Sequence, residues 1–280
     1  MSRSTTTEMR SRKAGAGTLA DEPVDLGFEE AGALFVSASQ NARIWTEHWV
    51  GANLFCPNCA SPRIDQFPGN RKVADFLCRT CAEEYELKAQ KGRFGPRVVD
   101  GAFASMCDRL AASNNPSLIL MNYDLGRLRV TDLFFVPRHF FVREVIQERR
   151  PLAPTARRAG WIGCNILLNE IPASGKIFFV RAGEAAPRDY VVEQWRSTLF
   201  LKEQNLTARG WLIEVMKCVE AIGRREFSLD DVYAHENRLR LLYPANRFVR
   251  PKIRQQLQVL RDHGYLDFTG RGRYRLRREA

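Results

Sequence analysis

CPNCASPRIDQFPGNRKVADFLCRTCAEEYELK, residues 56–88, holds two patterns laced through each other. Cys56-Pro-Asn-Cys59 and Cys78-Arg-Thr-Cys81 are CxxC knuckles with eighteen residues between them. A CxxC turn presents two thiolates to one ion, and two such turns complete a tetrahedral zinc site. Four sulfurs leave no open position for water. The expected Zn2+ is therefore structural, one per chain, and its binding energy contributes to the folding of this segment. A redox dithiol, the other use of CxxC, needs only one pair.

The second pattern is Asp75, Glu86 and Lys88, standing on either side of the second knuckle. Val73-Ala-Asp75-Phe-Leu77 reads as an apolar strand interrupted by one carboxylate, whose burial is costly unless a charged partner or a metal meets it. Across the knuckle, Glu84, Glu86 and Lys88 alternate onto one strand face and Tyr85 and Leu87 onto the other. A hairpin turning at Arg79 and Thr80 sets Asp75 beside Glu86 within a residue or two of register, with Glu84 in its place if the register shifts. Two adjacent carboxylates suit a hard divalent cation, and a lysine two residues along can orient or activate an attacking water. Glu86-Leu-Lys88 is the only acid-any-lysine triplet in the chain. The plainer reading is an exposed strand with solvated charges.

Beyond this stretch, 280 residues suffice for two domains, each with its own core. Lys and Arg outnumber Asp and Glu by 43 to 32, and the surplus is C-terminal: 18 basic against 10 acidic residues from Trp195 onward, 25 against 22 before it. Such a balance suits a polyanionic partner, nucleic acid above all, and equally describes a solvated basic surface. Seven cysteines, four of them in the knuckles, argue against a secreted disulfide framework. Cys107, Cys164 and Cys218 lie in apolar stretches and read as inert core thiols. No apolar run approaches the roughly 20 residues that cross a bilayer, and the N-terminus lacks the pattern of a signal peptide, so a cytoplasmic location is expected. The histidines show no ligand spacing. No arrangement for covalent catalysis and no glycine-rich phosphate loop is present.

Residues 1–27 are rich in Ser, Thr, Gly and Arg without apolar periodicity and read as a disordered extension. Residues 28–190 read as an α/β domain. The spacing of Ala33, Leu34, Val36, Ile44, Trp45 and Trp49 suggests one or two helices leading into the first knuckle. After Lys88 come a helix from Asp100 to Ala112 and short apolar runs at Leu118–Met121, Leu133–Val136, Trp161–Leu168 and Ile177–Val180, which with the Asp75 and Glu86 strands make one mixed sheet flanked by helices. Gln147 to Gly160, with two prolines and four arginines, is a basic loop. A boundary is expected between Gly183 and Trp195.

Residues 191–280 read as a winged helix. Helices are expected at Thr207–Ile222, after the N-cap Ser228, and from Val249 to His263, the last with Pro251 in its first turn and Gly264 beyond its end. Tyr265–Phe268 and Tyr274–Leu276 then flank a glycine turn. On the third helix, Val249, Ile253, Leu257 and Leu260 form one stripe, leaving Arg254, Gln255, Gln258 and Arg261 on or beside the opposite face. Such a face fits the major groove, where Gln reads adenine and Arg guanine, while Lys252, Arg271, Arg273 and Arg275 take phosphates.

The chain resembles the DpnI-like restriction endonucleases, the Dam-replacing family, which cut GATC sites whose adenine is methylated. The resemblance rests on Cys56–Cys59, NRKVADFLCRTCAEEYELKAQKG from Asn70 to Gly92, PLAPTARRAGWIGCNI from Pro151 to Ile166 and IRQQLQVLRD from Ile253 to Asp262, and runs from about Ser39 nearly to the end. It implies a PD-(D/E)xK nuclease domain with an inserted four-cysteine zinc site, followed by a winged helix, each able to contact double-stranded DNA. In that scheme Asp75 and Glu86 match the Mg2+-binding acids and Lys88 the catalytic lysine. The family pattern writes Pro-Asp where Ala74-Asp75 stands here, a difference without chemical consequence. Trp161, with Arg157 and Arg158 in the same matched segment, is the aromatic expected to sense N6-methyladenine. A regulator with structural acids, and a nuclease of the same fold with another target, are the competing readings.

Overall fold

The computed structural model describes residues 24–28, 38–68 and 74–277. The expected disordered extension lies outside them, except for its last residues. Leu26 is buried, its carbonyl accepts from Val130 N–H at 2.9 Å, and Gly27 bridges to Arg129, so residues 24–28 lie along a strand edge rather than free of the fold.

One helix, α1 (Ala38–Asn53), leads into the first knuckle and buries Trp49 and Val50. β1 (Asp65–Gln66), β2 (Phe76–Leu77) and β3 (Glu84–Lys91) follow. The expected hairpin is present: β2 pairs antiparallel with β3, Phe76 opposite Tyr85 and Leu77 opposite Glu84. Next come β4 (Arg97–Ala102), α2 (Phe103–Ala112), β5 (Ser117–Asp124) and β6 (Arg129–Val136). The β4–α2 excursion returns the chain to run parallel to β3, with Glu86 level with Leu118 and Lys88 with Leu120. β5 is buried along nearly its whole length, which is why it reads as a continuous apolar run. The rest of the first half is β7 (Ile146–Glu148), β8 (Gly163–Leu167), β9 (Ile177–Arg181), β10 (Glu184–Ala185) and α3 (Arg188–Arg196).

The main sheet has the order β1-β2-β3-β5-β6-β9-β10. Alternate residues of its central strands feed two apolar clusters: Ile119, Met121, Leu133 and Phe135 pack with α1, α3 and the knuckles, while Leu118, Leu120, Phe134 and Val136 pack with α2 and the C-terminal half.

Three expectations change. The helix placed at Asp100 begins at Phe103: residues 97–100 alternate exposed and buried with a period of two, and Asp100 pairs with Cys164 on a strand. The run Trp161–Leu168 becomes β8, but not in the main sheet. Its two edges are taken by β4 and β7, making a separate three-stranded sheet, and Leu168 already belongs to a turn. The domain boundary also moves. Val191, Val192 and Trp195 are buried in the cluster that holds Tyr85, Phe135 and Phe179, so α3 is the last helix of the first domain, not the opening of the second.

The second half is helical with a small sheet: α4 (Leu206–Ala221), β11 (Glu226–Ser228), α5 (Leu229–Tyr233), α6 (Glu236–Leu242), α7 (Val249–Asp262), β12 (Leu266–Gly270) and β13 (Arg273–Leu276). Ser228 caps α5 through a capping box with Asp231, and the single helix expected after it is broken at Ala234 and His235 into two. The expected hairpin of β12 and β13 turns at Gly272, whose φ of 66° suits glycine, and β11 adds a third strand. Gln256 is buried on α7 beside the predicted stripe. One apolar cluster runs from Leu118 and Phe140 through Trp211 and Met216 to Leu257 and Tyr274, so the two domains share a core.

Candidate active site

The two knuckles repeat one backbone trace. Ala60 N–H bonds to Cys56 O and Cys56 N–H to Ser61 O; Ala82 N–H bonds to Cys78 O and Cys78 N–H to Glu83 O. Both loops turn through an alanine of positive φ, 60° at Ala60 and 56° at Ala82. The four Sγ atoms lie within 4.8 Å of one another, with Cys56–Cys81 at 3.6 Å and Cys59–Cys78 at 3.5 Å. Zn–S bonds of ~2.3 Å in a tetrahedron set the sulfurs about 3.8 Å apart, so this donor set fits zinc. Around it, Tyr85 OH lies 3.1 Å from Cys56 Sγ, Asn58 Nδ2 donates to Cys81 Sγ at 3.3 Å, and Trp195 Nε1 donates to Asn58 Oδ1 at 3.0 Å. Burial raises the Cys78 thiol, but backbone N–H groups of Cys81 and Thr80 outweigh it and bring the pKa down to about 7.

On β3, Tyr85 faces the knuckles while Glu86 and Lys88 face the other way. The hairpin register carried on by one residue sets Asp75 beside Glu86. Asp75 N–H bonds to Tyr85 O, and its carboxylate accepts from Leu87 N–H, both at 2.8 Å. The charged partner its burial calls for is Arg43 of α1, 3.0 Å away, a side chain 69% exposed that also pairs with Glu47. Lys88 Nζ lies 2.6 Å from Glu86 Oε1 and donates to Asp100 Oδ1 at 2.9 Å. Burial pushes Lys88 down, yet the two carboxylates outweigh it and leave the ammonium above its ordinary value. Burial raises Glu86, the Lys88 charge opposes, and Asp100 and Asp75 add to the rise. Asp100 Oδ2 is buried without a hydrogen-bond partner. The result is an acid-rich cluster around Lys88, with Arg43 on Asp75 and Arg109 beside Glu86 and Asp100, in which the three residues singled out by sequence meet.

Asp100 and Arg43 are absent from that sequence reading. Asp100 had a signal, the two-residue alternation of Val98 and Asp100, which the expected helix masked. Arg43 had none, because only tertiary packing brings α1 over the hairpin.

The profile of the Dam-replacing family matches residues 27–204, and that of the Dam-replacing HTH domain matches residues 207–276. The chain belongs to the Dam-replacing family. It is thus a DpnI-like enzyme of the methyl-directed restriction class, a nuclease acting on DNA, with a mixed α/β domain followed by a helical HTH domain. The two matches meet at the start of α4, where Asn205 accepts from Ala208 N–H as N-cap.

Two further surfaces of this Dam-replacing chain carry the residues expected to meet DNA. In the basic loop, Arg157 and Arg158 are exposed, and Arg158 Cζ stands 4.7 Å from the Trp161 ring centroid. Trp161 is half-buried and belongs to neither apolar cluster. Its ring lies over Gly163, where a Cβ would meet it at 2.8 Å. In the HTH domain, Arg254, Gln255 and Gln258 are exposed on α7; Lys252 Nζ donates to Gln255 Oε1 at 2.9 Å, and Arg254 Nη1 donates to Tyr233 OH at 2.7 Å. Arg271 and Arg273 are exposed on the hairpin. Arg275, exposed on the same hairpin, pairs with its cross-strand partner Glu226 at 2.7 Å.

Proposed function

We propose that this Dam-replacing nuclease is a Mg2+-dependent type II restriction endonuclease with a PD-(D/E)xK catalytic domain, hydrolysing phosphodiesters of double-stranded DNA at GATC sites that carry N6-methyladenine. The observation that supports it most is the meeting of Asp75, Glu86 and Lys88 in one cluster, on a hairpin whose turn carries two of four clustered cysteines. Asp75 and Glu86 would hold the metal. Both offer hard carboxylate oxygens, and the buried Asp100 Oδ2 without a partner marks acid capacity left over beside them. Bound there, Mg2+ supplies charge stabilisation on the phosphoryl oxygens and the leaving oxygen.

The remaining work falls to the chain. Lys88, kept protonated by Glu86 and Asp100, donates hydrogen bonds to the attacking water or to the scissile phosphate and fixes its line of approach. Arg43 is exposed enough to leave Asp75 when a cation arrives. Trp161, backed by Arg158, offers an aromatic face to a methylated base in the catalytic domain, with Arg157 beside it on backbone phosphates. In the winged helix, Arg254, Gln255 and Gln258 read base edges, while Lys252, Arg271, Arg273 and Arg275 take phosphates. A methyl on adenine N6 is read by apolar contact, which suits an aromatic ring better than a new hydrogen-bonding group.

Plasmid carrying methylated GATC sites and its unmethylated counterpart, digested side by side with and without Mg2+, test the reading. Cleavage of the methylated plasmid alone, dependent on the metal and lost in Asp75→Ala with zinc content and folding retained, is the expected outcome. Equal cutting of both plasmids removes the methyl-directed specificity, and undiminished cutting by Asp75→Ala removes the site.

A further inference from the structure

Arg209, in the first turns of α4, is 5% exposed, and its Nε has no hydrogen-bond partner. Among the described residues no carboxylate pairs with its guanidinium, and burial alone acts on its pKa. Arginine stays protonated in proteins, so a buried guanidinium without a counter-charge is costly enough to require explanation.

It lines a cavity of about 190 Å³ at the junction of the two domains, together with Arg138, Lys202, His139, Asn115 and Ser113. Arg138 and Lys202 share a single buried carboxylate, Glu83 Oε2, at 3.1 and 3.3 Å. Among the described residues, the three cations of the lining thus have one carboxylate between them, that of Glu83, and two positive charges remain over.

Two of the residues that line it also carry buried acceptors without a partner. His139, 1% exposed, contacts Thr198 Oγ1 through Nε2 at 2.8 Å, and that hydroxyl already donates to Trp195 O. With the threonine proton committed, Nε2 is the protonated nitrogen of the neutral ring, and Nδ1 is left as a lone pair without a partner. Burial, with the neighbouring Lys202, Arg209 and Arg138, keeps the ring neutral. Asn115 Oδ1 is a second buried acceptor without a partner.

Surplus cations together with orphaned acceptors match an anion that also carries a proton. We propose that this cavity is a binding site for a hydrogen-phosphate group, whose anionic oxygens accept from Arg209, Arg138 and Lys202 and whose P–OH donates to His139 Nδ1 or Asn115 Oδ1. Sulfate and the phosphodiester linkage, which carry no proton at neutral pH, leave the acceptors unmet. The bound group would tie α4 and the turn at Leu199–Glu203 to Arg138 and Asn115 of the catalytic domain, so the joint between reading and cutting domains becomes anion-dependent. The site includes none of the proposed catalytic residues, although Asn115 and Phe141 also line the small pocket beside Glu86 and Asp100, and it does not depend on that reading. Its phosphate comes either as free inorganic phosphate or as the 5′-monoester of a DNA end bound in its singly protonated form.

Thermal unfolding of the full chain, without added divalent metal and at matched ionic strength, compares phosphate, sulfate and chloride at 0 to ~10 mM, where non-specific salt effects are small. A saturable rise in phosphate only is expected, about 3 °C at ten times the dissociation constant. It should vanish in Arg209→Met and weaken in Lys202→Gln, a part-exposed side chain whose loss the fold tolerates if the first variant does not fold. Equal shifts in phosphate and sulfate, or a phosphate shift that persists in either variant at full size, overturn the proposal. Phosphorus NMR with duplexes bearing 5′-phosphate or 5′-hydroxyl ends then separates the two sources. Displacement of inorganic phosphate by the 5′-phosphate duplex alone assigns the site to DNA ends, and retention with both assigns it to free phosphate.

Discussion

Asp100→Asn removes one of the two carboxylates that hold Lys88 while keeping the shape of the side chain. The carboxylate lies 2.9 Å from Nζ and its side chain is 5% exposed. At an effective dielectric near 20, two unit charges at that separation attract by about 5–6 kcal/mol before desolvation. Glu86 at 2.6 Å remains as a second anchor, and the asparagine Oδ1 still accepts a hydrogen bond. The net loss is therefore of the size of one charge-assisted hydrogen bond, about 1.5–3 kcal/mol. If Lys88 acts in the transition state, that loss appears as a fall in kcat of about 10- to 150-fold. Asp100 touches no part of the substrate in this scheme; it is a positioning residue. KM for a methylated duplex should stay within about twofold, because interactions made only in the transition state act on kcat. Single-turnover cleavage at saturating enzyme, with zinc content as the control for folding, measures the effect. Asp100→Glu, which restores the charge, should recover part of the rate. A kcat unchanged by Asp100→Asn, or a fall that appears in KM alone, refutes the coupling of Asp100 to Lys88.

Cys78→Ser should lose zinc and, with it, cleavage: structural zinc sites contribute about 10–16 kcal/mol to small domains, and zinc measured by elemental analysis together with plasmid digestion checks this. Full activity in a zinc-free preparation would contradict a supporting role for the knuckles. Gly163→Ala should shift the Trp161 ring, since a Cβ there meets Cη2 and Cζ3 at 2.8 Å; the ratio of methylated to unmethylated cleavage should fall towards that of Trp161→Ala. Ser228→Ala should lower the thermal midpoint by about 2–4 °C at neutral pH by removing the cap of α5. Hydrogen bonds from Ser228 hold the Asp231 carboxyl below its ordinary value, so their contribution is present above the unfolded pKa near ~3.9 and is lost as pH falls through the lower folded value. The difference between Ser228→Ala and the parent should accordingly narrow in acid, and a gap that widens below pH ~4 would rule out this cap.

The local signals and the long-range ones differ in how well they can be read in advance. Ser228 before two aspartates, Gly264 after α7 and the glycine turn at Gly272 are each decided within a few residues, and each lies where the sequence places it. The knuckles are legible for the same reason, because a CxxC loop fixes its own two thiolates. Asp75 beside Glu86 needs only the hairpin register. Asp100 escaped because Phe103–Ala112 has a strong helical pattern that invites extension backwards, although β4 takes residues 97–102 once β8 pairs with it. The membership of α3 escaped because Pro187 and its neighbouring charges look like a linker. Only the sheet face holding Tyr85 and Phe135 shows where Trp195 must go, with ring centroids 6.2 and 6.1 Å from those two residues. Arg209 and Glu83 belong to this long-range class too: a buried charge is visible in sequence only as a charge.

The interlacing of the cysteines with the acids has a mechanical explanation in β3. Successive residues of a strand project to opposite faces, so Tyr85 and Glu86 are adjacent in the chain yet answer to different surroundings. Tyr85 is fully buried, with its hydroxyl on Cys56 Sγ and its ring against Phe135 and Trp195. Glu86 faces Lys88 and Asp100. Any rotation or slip of β3 that unseats Tyr85 from the cysteine cluster must therefore move Glu86 and Lys88 as well, and a one-residue slip would exchange the two faces altogether. Asp75 is tied to the same strand by its backbone bond to Tyr85 and its side-chain bond to Leu87 N–H. A short hairpin of two-residue β2 could not hold that register by its own pairing. Four thiolates around one ion would close both ends of the 56–81 loop and hold it. A zinc ion held there would act on the proposed chemistry through position alone, and removing it should disorder the acids before it unfolds the domain.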